Sequence, residues 1–243
     1  MEFNEFYTAW ADVARRFDLA DFAGQEFARR LHLLYEELTE VGSHMNLTAI
    51  RDFEGVLTKH FADSLSVAAL IPQNAAVIDV GCGAGFPSLP LAIARPDIRV
   101  TALDSTAKKL GFVAATAAKI GLGNITTLNV RAEDAGRDPV YRESFDVCVA
   151  RAVSALNVLS ELCLPLVRVG GRFIAMKSRL AENELADAER GIVRLGGSDA
   201  EHYVADFPDD AGMSRTQLVF TKVGPTPREF PRQYSQITKK PLG

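Results

Sequence analysis

The apolar and polar positions divide the chain into two unlike parts. Up to about residue 70 the apolar positions follow a helical period. Phe27, Leu31, Leu34, Tyr35, Leu38 and Val41 recur every three or four residues and mark one buried helix face, which Gly42 can stop. Asn46-Leu47-Thr48-Ala49-Ile50 reads as a non-helical connection. Asp52 is placed to cap a further helix running through His60, Phe61, Asp63, Ser64 and Leu65, and Ile71-Pro72 ends it. From Ala75 onward, apolar runs of strand length at 76–80, 98–103, 125–130, 145–150, 171–177, 201–206 and 216–223 alternate with helical stretches near 87–95, 105–120, 155–168 and 180–195. That alternation predicts βαβ units, right-handed crossovers and a mostly parallel sheet. Only Pro208-Asp209-Asp210-Ala211-Gly212 separates the last two runs, which predicts an antiparallel pair at the sheet end. The fold expected is α/β: a Rossmann-like, seven-stranded sheet with an N-terminal helical cap. The division expected is 1–72 for the cap, 73–224 for the sheet domain and 225–243 for a basic C-terminal tail.

The first strand carries the most informative stretch, Ala76-Val77-Ile78-Asp79-Val80-Gly81-Cys82-Gly83-Ala84-Gly85-Phe86-Pro87. A buried strand ends near a carboxylate, a glycine turn follows, and Pro87 and Pro90 suit a helix first turn, where a missing N–H costs little. The dinucleotide fingerprint is G-x-G-x-x-G. Here the third glycine arrives one residue early, at Gly85, and Phe86 holds the place that fingerprint gives to glycine. A pyrophosphate would lose its close approach; a nucleoside without phosphate, such as S-adenosylmethionine, would not. Asp104 ends the second strand, 19 residues beyond Gly85, where an acid accepts from ribose hydroxyls. It also suits the N-cap of the helix that starts near Ser105 and Thr106. Seven strands closing on a hairpin fit a class I methyltransferase fold better than half of a dinucleotide-binding pair.

In an open α/β sheet, ligands lie outside the carboxyl ends of the strands. The polar residues there are Asp79, Asp104, the run Arg131-Ala132-Glu133-Asp134, Arg151 and Lys177. The acids suit ribose hydroxyls and an adenine amino group; the cations suit a carboxylate or phosphate. Arg131 and Arg151 have a second reading as partners of Glu133 and Asp134. No nucleophile–base pair and no G-x-S-x-G elbow stands out. Methyl transfer to a lone pair that carries no proton, such as guanine N7, needs only alignment and exclusion of water.

Composition narrows the field further. The 243 residues are 47% hydrophobic and 24% charged, ordinary for a globular protein, and no apolar run reaches the ~18 residues of a membrane span. The acidic start Met1-Glu2-Phe3-Asn4-Glu5 lacks the basic region of a signal peptide. Cys82, Cys148 and Cys163 are odd in number and set in apolar stretches, as expected of reduced cysteines in a cytoplasmic protein, and the four histidines have no metal-ligand spacing. The net charge of −4 argues against wholesale nucleic-acid binding. Yet Lys222, Arg228, Arg232, Lys239 and Lys240 stand against Glu229 alone near the C-terminus, a candidate phosphate-contacting arm.

Taken in order, Asn46-Leu47-Thr48-Ala49-Ile50, His60-Phe61, Asp63-Ser64-Leu65, the glycine turn with Phe86-Pro87, Leu103-Asp104-Ser105, Arg131-Ala132-Glu133, Ala150-Arg151-Ala152 and the tail Phe230-Pro231-Arg232 with Lys239-Lys240-Pro241-Leu242 resemble the glucose-inhibited division protein B family. The resemblance spans essentially the whole chain. It implies a methyltransferase that uses S-adenosyl-L-methionine to modify guanine N7 in 16S RNA of the small ribosomal subunit, with that RNA presented within a ribosomal particle. It implies donor contacts at Gly81, Phe86, Asp104, Ala132, Glu133 and Arg151, to which the motif reading adds Asp79, Gly83, Gly85, Ser105 and Thr106. Asn46, His60, Arg131 and Lys177 would line the RNA side; no metal and no membrane is implied. Ser88, Ser178 and Ser235-Gln236-Ile237 depart from the family's usual glycines and proline. The rival readings are a nicotinamide-dependent oxidoreductase, a ribosome-binding module without activity, and a methyltransferase acting on another RNA, a protein or a small molecule.

Overall fold

The computed structural model describes residues 1–42, 44–151, 154–177, 184–206 and 214–243. At its centre is a seven-stranded sheet: β1 (Ala76–Val80), β2 (Arg99–Leu103), β3 (Ile125–Leu128), β4 (Phe145–Arg151), β5 (Val167–Lys177), β6 (Gly197–Asp206) and β7 (Ser214–Lys222). The spatial order is β3-β2-β1-β4-β5-β7-β6. The first five strands pair in parallel, while β7 runs antiparallel to both β5 and β6. This is the class I methyltransferase arrangement, with the antiparallel closing pair that the short link after 206 predicts. Strand order reverses between β1 and β4, so the crevice where ligands bind such sheets opens beside the glycine turn.

The N-terminal helices α1 (Phe3–Arg16) and α2 (Gln25–Gly42) follow the predicted apolar period. Phe6, Trp10, Leu31, Leu34 and Leu38 face inward and share one apolar cluster with Phe61, Phe86, Leu89 and Val113. The cap thus packs on the helices that follow β1 and β2. Asp52 caps the next helical run as its sequence position predicts, accepting from Gly55 N at 2.7 Å. The middle of that run, Val56–Ala62, has the wide π spacing that often marks functional positions, and it carries His60. A second cluster fills the opposite side of the sheet beneath the Leu156–Cys163 and Glu184–Arg194 helices.

Four elements differ most from the expected pattern. The helix expected over 155–168 stops at Cys163, because Pro165 supplies no N–H; a tight turn over Leu164–Leu166 follows, and β5 begins at Val167 rather than 171. β6 begins at Gly197 rather than 201. Within the tail, Tyr234–Lys239 forms a helix that periodicity did not mark. The turn expected at 208–212, the start of the helix expected at 180, and Ala152 and Ser178 lie outside the described residues. No helix among the described residues is long and apolar enough to cross a membrane.

Candidate active site

β1 ends in the glycine turn, and three glycines there hold positive φ: Gly81 (74°), Gly83 (57°) and Gly85 (87°). They serve different ends. A Cβ at Gly83 would point into open space, so Gly83 is required by backbone conformation alone. A Cβ at Gly85 would lie 2.6 Å from Leu89 Cδ1, so this glycine lets the Ser88–Ala94 helix close on the turn. Most of the turn's own donors are already engaged. Gly81 N and Cys82 N donate to Leu103 O at 2.8 and 3.0 Å, and Gly85 N and Phe86 N donate to Cys82 O. Gly83 N donates to Asp104 Oδ2 at 3.0 Å. A phosphate site at a helix start depends on backbone N–H groups left pointing at the ligand. Here five of them are turned inward, which disfavours a pyrophosphate and suits a ligand without one.

Two pockets flank the turn and share Gly81 and Arg151. The smaller, about 260 Å3, is lined by Val80, Leu103, Asp104, Ser105, Arg131, Ala132, Glu133, Leu162 and Tyr234. Asp104 Oδ1 also accepts from Thr106 N at 2.8 Å, so its carboxylate both fixes the next helix start and faces the pocket. The helix N-cap is Thr106, without a side-chain cap, so Asp104 holds the turn just before the Ala107–Ile120 helix instead of capping it as its sequence position suggested. Thr106 contributes its backbone rather than a wall. Glu133 is 4% exposed and accepts from Arg131 Nε at 2.7 Å. The apolar floor and two carboxylates make this pocket fit a nucleoside.

The larger pocket, about 440 Å3, has as walls Leu47, Thr48, Ile50, the turn through Phe86, and the charged side chains of Lys59, Asp63, Arg151, Lys177 and Arg215. Four cations thus meet one carboxylate. Arg151 Nη1 donates to Asp63 Oδ2 at 3.0 Å and to Lys59 O at 2.8 Å; Arg215 Nε lies 3.3 Å from Asp63 Oδ1. Arg151 thus pairs with Asp63 rather than with Glu133 or Asp134. Lys177 Nζ donates to Glu184 Oε1 at 2.5 Å, and the same oxygen accepts from Leu156 N.

His60 stands where the two halves of the protein meet. Its ring stacks on Phe86 with centroids 4.3 Å apart and planes 7° from parallel. Arg151 Nη2 lies 3.2 Å from Nδ1, and an arginine can only donate, so Nδ1 is the unprotonated nitrogen. Nε2–H then donates to Thr48 Oγ1 at 2.8 Å. Burial, and after it the charge of Arg151, push the imidazole down to about 3, so the ring is neutral near pH 7.

Other residues singled out in the sequence stand elsewhere. Asp79 is fully buried behind the turn; its Oδ2 accepts from Ser88 N at 3.1 Å and from Ser88 Oγ at 2.5 Å, and burial raises it to about 6. It braces the helix start instead of facing a ligand, because alternation along β1 turns it toward that helix. Gly85 is likewise buried behind the wall. Asn46 is exposed, one residue before the lining Leu47, with Arg51 Nη2 3.4 Å from its Oδ1. Arg131 lies in the smaller pocket, apart from His60 and Lys177.

Two cations expected in a free basic arm are built into the fold. Lys222 is fully buried between Leu164 O, Thr226 and Glu143, and burial lowers it to about 8. Arg232 makes a bidentate pair with the buried Glu161. Arg228, Lys239 and Lys240 remain exposed. Thr48, Lys59, Arg215 and Tyr234 are wall residues that the strand-end pattern does not mark, because none sits at the end of a parallel strand. Among the described residues no group of three or more His, Cys, Asp or Glu side chains is placed to hold a metal ion.

A family model described as rRNA small subunit methyltransferase G (GidB) matches residues 28–205. The chain is 44% identical over 212 residues to a protein of that name from Lactobacillus delbrueckii subsp. bulgaricus, covering 86% of this chain and 88% of that one. It is 40% identical over 241 residues to its namesake from Listeria monocytogenes serotype 4b, covering 98% of each. Among solved structures, the [4+2]-cyclase SpnF superposes with a TM-score of 0.55 at 17% identity, covering 81% of this chain and 95% of that one. A SAM-dependent O-methyltransferase from Thermotoga maritima gives 0.52, also at 17% identity, covering 78% and 72%. At such identity these two speak to the fold alone; one of them is a cyclase, so fold does not carry function.

Proposed function

We propose a substrate and a division of labour for this chain, which belongs to the rRNA small subunit methyltransferase G (GidB) family and is a methyltransferase. It takes S-adenosyl-L-methionine as donor and methylates N7 of a guanine in the 16S RNA of the small subunit. The observation that carries this reading is the pair of pockets meeting at Gly81 and Arg151: one lined by two carboxylates and apolar side chains, the other rich in cations. The donor supplies a methyl group already activated by its positive sulfur.

The chain's own residues then have to bind, align and exclude water. Asp104 accepts from the ribose hydroxyls, using the lone pairs that Gly83 N and Thr106 N leave free. Ala132 and Glu133 face the adenine, and Ser105 closes the pocket edge. Gly81 lines the passage between the pockets, Phe86 walls the larger one beside it, and Arg151, shared by both, faces the donor's carboxylate. On the RNA side, Asn46, His60 and Lys177 meet the flipped-out guanine and its phosphates, while Arg131, held by Glu133, belongs with the donor pocket. Guanine N7 carries no proton, so in-line transfer needs no general base, and a neutral His60 fits a positioning role. The cap over 1–72 and the sheet domain over 73–224 each give one wall of the RNA side. An acidic chain has little general affinity for RNA, which favours RNA held in a ribosomal particle. A cytoplasmic setting goes with that substrate.

Incubating small ribosomal subunits with labelled donor and mapping the modified base tests this reading. Label at a guanine N7 is expected; label on protein, on another base, or nowhere would refute it. The inward-turned amides of the glycine turn disfavour the oxidoreductase rival, which predicts thermal stabilisation by NAD and none by S-adenosylhomocysteine.

A further inference from the structure

The smaller pocket has one wall that the strand ends do not supply. Tyr234 reaches it from the C-terminal helix, more than 80 residues beyond Arg151 in sequence. The chain leading there is firmly docked. Arg232 Nη2 and Nε donate to Glu161 at 2.6 and 2.9 Å, Phe230 and Ile237 are buried, and Gln233 and Gln236 cap each other's backbone across the helix start. Pro231 lies so close to Gly136 that a Cβ there would come within 2.9 Å of it. Tyr234 itself is 37% exposed, at the pocket rim, and the guanidinium of Arg131 stands 5.0 Å from its ring centroid. Arg131 is fixed in turn by Glu133. The other walls are the apolar Val80, Leu103 and Leu162, with Asp104 and Glu133 at the polar edges.

We propose that Tyr234 is a stacking face for the purine of the donor and that the C-terminal helix is a docked lid over the adenosine. This rests on the reading that the smaller pocket holds adenosine. An aromatic face opposite an apolar floor is the environment a flat base prefers, and cation–π contact with Arg131 holds the ring in place. The contact lies at the nucleoside end, so it sets donor affinity without touching the methyl transfer.

Calorimetry on the full chain tests it, with S-adenosylhomocysteine and free adenosine as probes. Tyr234→Ala is expected to bind both about tenfold more weakly, the size of one base–aromatic stack, while Tyr234→Phe stays within twofold of the parent. In turnover the alanine variant raises KM for the donor and leaves kcat unchanged. Should the alanine variant not fold, Tyr234→Leu keeps bulk without a π face and carries the same expectation. Parent-like affinity in the alanine or leucine variant overturns the lid while leaving the donor site standing. Loss confined to S-adenosylhomocysteine, with adenosine unaffected, overturns it too. A parent that binds neither probe removes the donor reading itself, and the lid with it.

Discussion

His60 refuses a proton that the unfolded chain would accept. Burial and Arg151 hold it near 3, whereas an exposed histidine titrates near 6.5. Below pH 6.5 the unfolded state gains the proton first, so this residue lowers stability progressively down to about pH 3, by roughly 1 kcal/mol per pH unit. Asp79 acts in the opposite sense: raised to about 6, it takes up its proton in the folded state first, and its contribution grows as pH falls from about 6 toward 4. Urea titrations of the parent and His60→Gln at pH 7.5 and 5.0 isolate the histidine, because Asp79 is common to both. The parent is expected to lose about 2 kcal/mol more than the variant between those values; equal losses would show an ordinary histidine. Asp104 offers a second residue-scale test. Asp104→Ala should weaken S-adenosylhomocysteine at least tenfold and cost about 2 kcal/mol of stability, since Gly83 N and Thr106 N lose their acceptor. Parent-like binding would contradict the ribose assignment.

The glycine turn shows how two like residues in one element differ. Gly83→Ala meets only the penalty of a positive φ, about 1 kcal/mol. Gly85→Ala adds overlap with Leu89 and Val113 to a similar penalty, and should cost about 2–4 kcal/mol. Denaturant midpoints of the two variants decide the order; a reversal would mean that the turn, not the helix packing, sets the need for Gly85. The turn was legible because its requirements are local: strand, positive-φ glycines and helix start follow one another in sequence. The π-spaced segment around His60 was not, since Phe86 and Arg151, the groups that hold its ring, come from β1's turn and from β4.

At the scale of the whole molecule, the tail ties the C-terminus to the middle of the chain. Arg232 is the partner of Glu161, which is fully buried. Arg232→Ala strands that carboxylate and should cost about 3–5 kcal/mol, read by chemical denaturation. Replacing both partners by methionine should recover most of the loss; no recovery would mean that the pair does more than neutralise a buried charge. Truncation after Gly224 removes Arg232, Phe230, Ile237 and Tyr234 together. It is therefore expected to lower stability and donor affinity as well as any RNA contact, so it does not isolate the tail's exposed cations. Arg228→Glu with Lys239→Glu and Lys240→Glu does: weaker methylation of ribosomal particles with unchanged S-adenosylhomocysteine binding is expected if those cations touch RNA.

What the sequence determined by itself was whatever short-range patterns encode: the alternation that builds the parallel sheet, the closing antiparallel pair, the glycine turn and the acid 19 residues beyond it. Those follow from period, backbone conformation and the position of strand ends. Tertiary structure alone decided which charges are paired, that Arg151 answers to Asp63, that Lys222 is buried and Arg232 is spent on the buried Glu161 rather than offered to a partner, and that Tyr234 lines the smaller pocket. Each of these is a contact between side chains far apart in the chain, and no local spacing records which distant partner a charge or a ring will meet.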